Sequence, residues 1–195
     1  MRMFESHADQ NIWKGTIFIM NYAAIKKCDI ANGEGVRISL FVSGCTHHCK
    51  GCFQPETWSF DYGNPFDETV EDEIMKALEP DYIAGLTLLG GEPMESENAK
   101  RLYPFVKRVR ETYPSKNVWC YSGYLFEELM EREECRRLLE LIDVLVDGEF
   151  VEEQKNIALQ FRGSENQRII DVRKSLKDGN VVLRDFYQYR NSSFL

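Results

Sequence analysis

Three cysteines fall within Cys45-Thr46-His47-His48-Cys49-Lys50-Gly51-Cys52, a C-x3-C-x2-C arrangement with glycines on either side. Three thiolates on one short loop can converge on one face of an iron-sulfur cluster, but they cannot complete the four-cysteine shell of an electron-transfer 4Fe-4S centre. One iron then stays open, and an open position is where a ligand binds and is activated. The same thiols also suit a Cys3His zinc site with His47 or His48 as the fourth ligand. Against that, structural zinc sites usually join two separated knuckles, and no second cysteine pair follows here.

A second motif, Gly90-Gly91-Glu92-Pro93, reads either as a turn at a strand end or as a ligand cradle. Two glycines let backbone come close to a small molecule, while carbonyls and Glu92 can receive an ammonium group. Cys28, Cys120 and Cys135 show no metal spacing and read as buried or idle thiols. Asp147-Gly148 reads as a stabilised turn, with a ligand contact as the alternative. Arg162 to Arg168 suits either a hydrogen-bonded loop or a partner-holding surface. Trp13, Trp58 and Trp119 read as core or interface aromatics.

These motifs need elements to position them. Val36, Ile38, Leu40 and Val42 alternate with Arg37, Ser39, Phe41 and Ser43, the period of a strand, and Gly44 breaks the pattern. The cysteine loop therefore follows a strand. Asp67 can cap a helix with Val70, Ile74 and Leu78 on its apolar side, stopped by Pro80. A strand through Leu86 to Leu89 follows. The next helix runs through Ala99, Leu102, Val106, Val109 and Tyr113, and Pro104 should kink or divide it. Then come a strand over Val118 to Tyr121, one helix from Phe126 through Leu129, Met130, Leu138 and Ile142, and a buried strand at Val144 to Val146.

Such alternation favours parallel strands with helical crossovers, an α/β sheet or part of a β/α barrel. A complete eightfold barrel typically takes ~250 residues, so 195 residues hold too few units. Ligands of this architecture sit where strands end and loops begin. The loops placed there are Gly44 to Phe53, Gly90 to Pro93 and Ser122-Gly123-Tyr124.

Composition narrows the class. With 43% hydrophobic and 29% charged residues the chain is that of one ordinary globular domain. No apolar run approaches the ~18 residues of a membrane span, and Glu5 and Asp9 stand where a signal peptide is apolar, so a cytoplasmic protein is expected. The formal charge of -8 argues against a nucleic acid or an anionic membrane as partner. Much of it is local, since Asp67, Glu68, Glu71, Asp72, Glu73, Glu79 and Asp81 face only Lys76; a solvated helix face is expected there.

The pairing of a C-x3-C-x2-C loop after one strand with Gly-Gly-Glu-Pro after the next resembles the radical S-adenosylmethionine (SAM) superfamily. Within it the chain is most similar to the anaerobic (class III) ribonucleoside-triphosphate reductase activating family, through Asn32-Gly33-Glu34-Gly35-Val36-Arg37, Leu40-Phe41-Val42-Ser43-Gly44-Cys45, Leu145-Val146-Asp147-Gly148-Glu149-Phe150 and Phe161-Arg162-Gly163-Ser164-Glu165-Asn166-Gln167-Arg168. The resemblance spans about Met20 to Val172.

That resemblance implies a short, incomplete (β/α) barrel with mostly parallel strands. It implies a 4Fe-4S cluster on Cys45, Cys49 and Cys52, with SAM chelating the open iron and lying against Gly51, Cys52, Phe53, Gly90, Gly91 and Glu92. Reductive cleavage of SAM to a 5'-deoxyadenosyl radical, then hydrogen abstraction from a glycine of the large reductase subunit, would be the activity. No side chain beyond those holding cluster and SAM is expected to do chemistry. Alternatives are the activating enzyme of another glycyl-radical protein such as pyruvate formate-lyase, and a zinc-stabilised binding module. A flavodoxin- or ferredoxin-like donor is expected to dock on a basic patch of Lys26, Lys27, Arg37 and Lys50. Residues 1–19 are expected to be an extension outside the working domain, with Met20 a candidate start, although Gly15 to Ile19 could add an edge strand. Residues 20–175 are the expected radical SAM domain and 176–195 a tail.

Overall fold

The computed structural model describes residues 19–184. Trp13, nearly all of the expected extension and residues 185–195 of the expected tail lie outside them. In chain order the elements are β1 (Asn21–Asp29), β2 (Val36–Val42), β3 (Asn64–Pro65), α1 (Glu68–Leu78), β4 (Ile83–Gly90), α2 (Ser96–Thr112), β5 (Asn117–Tyr121), α3 (Phe126–Met130), α4 (Glu133–Leu139), β6 (Val144–Asp147), β7 (Arg168–Asp171) and α5 (Val172–Asp178). The strands form one mixed sheet in the order β3-β1-β2-β4-β5-β6-β7. Its centre, β2-β4-β5-β6, is parallel, and β1, β3 and β7 add antiparallel strands at the flanks. The helices between the parallel strands are what let each strand return in the same direction.

The strand alternation in β2 sets two faces. Ile38, Leu40 and Val42 join Leu86, Leu88, Val118 and Leu145 in the large core beneath the helices. Arg37 and Ser39 point the other way, yet both are buried, with Thr87 beside them. The Arg37 guanidinium donates to Thr87 Oγ1 (2.6 Å), Asn117 Oδ1 (2.7 Å) and the Leu86 carbonyl (2.7 Å), and its carbon lies 5.4 Å from the Trp119 ring centroid. Burial pushes its pKa down to about 10. This corrects the expected basic patch, because Arg37 lies at the opposite end of β2 from the cysteine loop and inside the protein. Trp119, Val144, Val146 and Ile169 form a second, smaller cluster.

Local signals account for most elements. Asp67 Oδ1 accepts from the Val70 amide (3.0 Å), so α1 starts as the cap predicts. Leu78 is the last residue of α1, two before Pro80. Pro104 does not divide α2: it lies on the exposed face, where water can take the carbonyl freed by its missing N–H. The single helix predicted from Phe126 is two helices, because Arg132 turns to φ -102°, ψ 119° and starts α4 afresh. Residues 176–184 complete α5 and lie along β7, with the Asp171 amide donating to the Val182 carbonyl (2.9 Å) and Arg184 N to the Ile169 carbonyl (2.8 Å). Among the described residues no helix is long and apolar enough to cross a membrane.

Candidate iron-sulfur site

The parallel centre of the sheet brings the three suspected loops to one edge. Leaving β2, the chain is closed into a loop by backbone bonds: Gly44 N donates to the Thr57 carbonyl (2.8 Å) and Cys45 N to that of Trp58 (3.1 Å). Within it His48 (φ 53°) and Gly51 (φ 73°) take left-handed conformations that turn the chain between the cysteines. A Cβ on Gly51 would lie 2.8 Å from the Glu152 carboxylate. Cys45, Cys49 and Cys52 are all half-buried free thiols.

The Gly-Gly-Glu-Pro turn is laid directly on that loop. Gly91 N donates to the Val42 carbonyl and Glu92 N to the Gly44 carbonyl, each at 2.8 Å. A Cβ at position 91 would fall 2.7 Å from the Gly44 oxygen and 2.9 Å from that of Thr57. One use of the glycine is therefore the approach of two loops to each other. Asn98 Nδ2 adds bonds to the Ser43 (3.0 Å) and Glu92 (2.9 Å) carbonyls.

Glu92 is almost wholly buried. Its carboxylate accepts from Met94 N (2.8 Å), Gly123 N (2.7 Å) and His47 Nε2 (3.1 Å), joining all three loops. That bond raises the pKa of His47. Glu95 Oε1 grips the same loop from outside through Thr46 N (2.9 Å) and Thr46 Oγ1 (2.6 Å). Burial, with the Glu92 charge as a lesser cause, pushes the Cys45 thiol up to about 12. Burial and then Glu149 push Cys49 up to about 11. Without a metal both are protonated, so iron must displace their protons.

The second half of the loop meets residues 148–167. Lys50 Nζ lies 3.0 Å from both Glu152 Oε2 and Glu153 Oε1. Phe53 is 64% exposed, its ring 5.0 Å from Phe150 and under Lys155 Nζ (5.1 Å). Lys27 pairs with Glu73, and Lys26 lies over Phe41, so the four expected cations do not form one free patch. The stretch Arg162 to Arg168 is a hydrogen-bonded loop: Gln167 Oε1 accepts from Gly163 N (2.8 Å), and Gln167 Nε2 donates to the Gly148 carbonyl (2.9 Å). Asp147 is fully buried and bound to Arg168. Cys28 is exposed, whereas Cys120 and Cys135 are buried.

Three thiols on one loop suit an iron-sulfur cluster with one open iron. Among the described residues no group of three His, Cys, Asp or Glu side chains stands ready around one metal. In a cluster each thiolate binds its own iron and need not crowd the others. His47 Nε2 bonds the Glu92 carboxylate, and the His48 ring lies 4.7 Å from Trp58. Thr46, Glu95 and Asn98 are site residues that local spacing could not reveal, since their partners lie 49 to 55 residues away.

Comparison with known proteins agrees. The model of a 4Fe-4S single cluster domain matches residues 31–170, which include all three cysteines. The anaerobic ribonucleoside-triphosphate reductase-activating protein of Haemophilus influenzae is 46% identical over 152 residues, covering 77% of this chain and 97% of its own. The chain belongs to the anaerobic ribonucleoside-triphosphate reductase-activating protein family. The Escherichia coli K12 member is 40% identical over 156 residues, 79% of this chain and 100% of that one. Even the member from phage T4 keeps 38% identity over 152 residues, 77% and 93% of the two chains. The matched region 31–170 includes every loop of the site.

Proposed function

We propose that this protein activates an anaerobic ribonucleoside-triphosphate reductase by generating its glycyl radical, using a 4Fe-4S cluster on Cys45, Cys49 and Cys52 together with SAM. The observation that carries this reading is the direct stitching of the three-thiol loop to the Gly-Gly-Glu-Pro turn at the edge of the parallel strands. Bound there, cluster and SAM would supply one-electron chemistry, the reductive cleavage of SAM whose outcome is removal of a hydrogen atom from a reductase glycine.

The chain's own residues bind and orient. SAM lies against Gly51, Cys52, Phe53, Gly90, Gly91 and Glu92 in this reading. A carboxylate has about four acceptor positions. Three donors within the protein use Glu92, which leaves room for one ammonium hydrogen. The open mixed sheet serves as the short, incomplete barrel of the radical SAM type, and its open edge admits a loop of another protein. The reductase's large subunit is the partner, a flavodoxin- or ferredoxin-like protein the electron donor, and the cytoplasm the compartment. A zinc module is disfavoured by the match of residues 31–170 to a 4Fe-4S single cluster domain. Pyruvate formate-lyase as the partner is disfavoured by the relatives' names.

The test is anaerobic reconstitution with iron and sulfide, reduction, and addition of SAM with the large reductase subunit or, in parallel, pyruvate formate-lyase. A glycyl-radical electron paramagnetic resonance signal on the reductase alone is expected, with methionine and 5'-deoxyadenosine released. A brown, reduced protein that leaves the reductase without radical overturns the reading.

A further inference from the structure

His47 stands between two proposed iron ligands and has three separate contacts that fix its ring. Its Nε2 lies 3.1 Å from Glu92 Oε2. A carboxylate can only accept, so Nε2 carries the hydrogen and donates. The ring packs on Tyr124, centroid to centroid 4.3 Å. Beneath it is Gly123, where an added Cβ would lie 2.6 Å from both Cδ2 and Nε2 of His47. Gly123 is not among the glycines with left-handed backbone, and the three atoms nearest to an added Cβ all belong to the His47 ring. Gly123 N donates to the same Glu92 oxygen that His47 uses.

We propose that His47 is a positioning residue: packed over Gly123 and bound to Glu92, it holds the Cys45-to-Cys49 half of the loop in the form that presents its thiols to the cluster. This rests on the functional reading above. This half is held against the turn and the Ser122–Tyr124 loop by His47 on Glu92 and Tyr124 and by Thr46 on Glu95 and Tyr124. The Glu95 grip is exposed to water, whereas the His47–Glu92 contact is largely shielded, with side chains 14% and 2% exposed. Shielding makes the inner contact the stronger restraint. Glu92 in turn couples the loop to the turn proposed to hold SAM, so a loosened His47 disturbs both.

The test is a double-mutant cycle on the full chain, read as the rate at which an iron chelator strips the anaerobically reconstituted protein and as the change that SAM makes in the spectrum of the reduced cluster. His47→Ala removes the donor and the ring; Gly123→Ala pushes the ring off Glu92; His47→Gln keeps an N–H donor. A hydrogen bond to a charged group corresponds to about tenfold or more, so His47→Ala and Gly123→Ala should each speed iron loss about tenfold and blur the SAM-induced change. His47→Gln should restore slow loss. In the His47→Ala background Gly123→Ala should add almost nothing, since no ring remains to be displaced. Wild-type iron loss in His47→Ala, or full additivity of the two changes, would overturn the proposal. If the wild-type chain itself assembles no 4Fe-4S cluster, the functional reading falls instead, and the positioning role falls with it.

Discussion

Arg168 holds the Asp147 carboxylate at two points, Nε on Oδ1 at 2.9 Å and Nη2 on Oδ2 at 2.5 Å. Asp147 ends β6 wholly out of water, and its Oδ2 also accepts from Phe126 N (2.8 Å), tying the start of α3 to the strand. Arg168→Ala leaves that buried carboxylate without its cation and should cost about 2 to 4 kcal/mol in denaturant unfolding. Arg168→Ala combined with Asp147→Asn should recover part of the loss, because the neutral amide carries no unpaired charge. Equal stability of the single and double variants would remove the charge argument.

The six cysteines should divide cleanly. Cys45→Ala, Cys49→Ala and Cys52→Ala each remove one of the three proposed ligands, and reconstituted iron and SAM cleavage should fall to background. Cys28→Ala, Cys120→Ala and Cys135→Ala should keep both, with the two buried positions costing about 1 kcal/mol of packing. Full SAM cleavage by Cys49→Ala would sink the ligand assignment.

Burial raises the thiols of Cys120 and Cys135, the latter to about 12 against an ordinary 9.0. In the unfolded chain these protons leave near 9, while the folded chain keeps them. Between those values the folded state binds more protons, so stability falls as pH rises through the window. Unfolding midpoints measured from pH 8 to 11 should decline, and the Cys120→Ala/Cys135→Ala protein should decline less steeply. Identical slopes would show that these thiols do not contribute.

Lys50 is held by two glutamates and is not a free cation. Lys50→Glu sets three like charges together and should expose the 148–156 stretch to faster limited proteolysis, while Lys50→Arg should not. If electron delivery by a protein donor slows in Lys50→Glu without faster cleavage, the lysine acts on the donor directly.

How much could be read beforehand depended on whether the signal was local. Val36–Val42 was legible because one face is apolar and Gly44 ends it, and Asp67 announces α1 by its own side chain. β1 was not, since Asn21–Asp29 lacks clean alternation and is ordered by pairing with β2 and β3. The division at Arg132 was hidden because apolar residues continue through both helices. The same rule holds at the site. The cysteines and Gly-Gly-Glu-Pro declare themselves by type and spacing, but the burial of Arg37 depends on Thr87 and Asn117, which lie 50 and 80 residues farther along the chain.

The two backbone bonds from Gly44 and Cys45 to Thr57 and Trp58 make a ring of the cysteine segment before any metal arrives. Closing a flexible loop of that size opposes itself entropically by roughly 2 kcal/mol. Here that cost is carried by the folding of the whole domain. A free peptide with the same three cysteines must meet it at the moment it takes up iron, along with the ordering of every residue between them. The intact protein is thus the better iron host even with identical thiols, and its grip on the cluster should weaken in step with any change that loosens the ring's closure rather than its ligands.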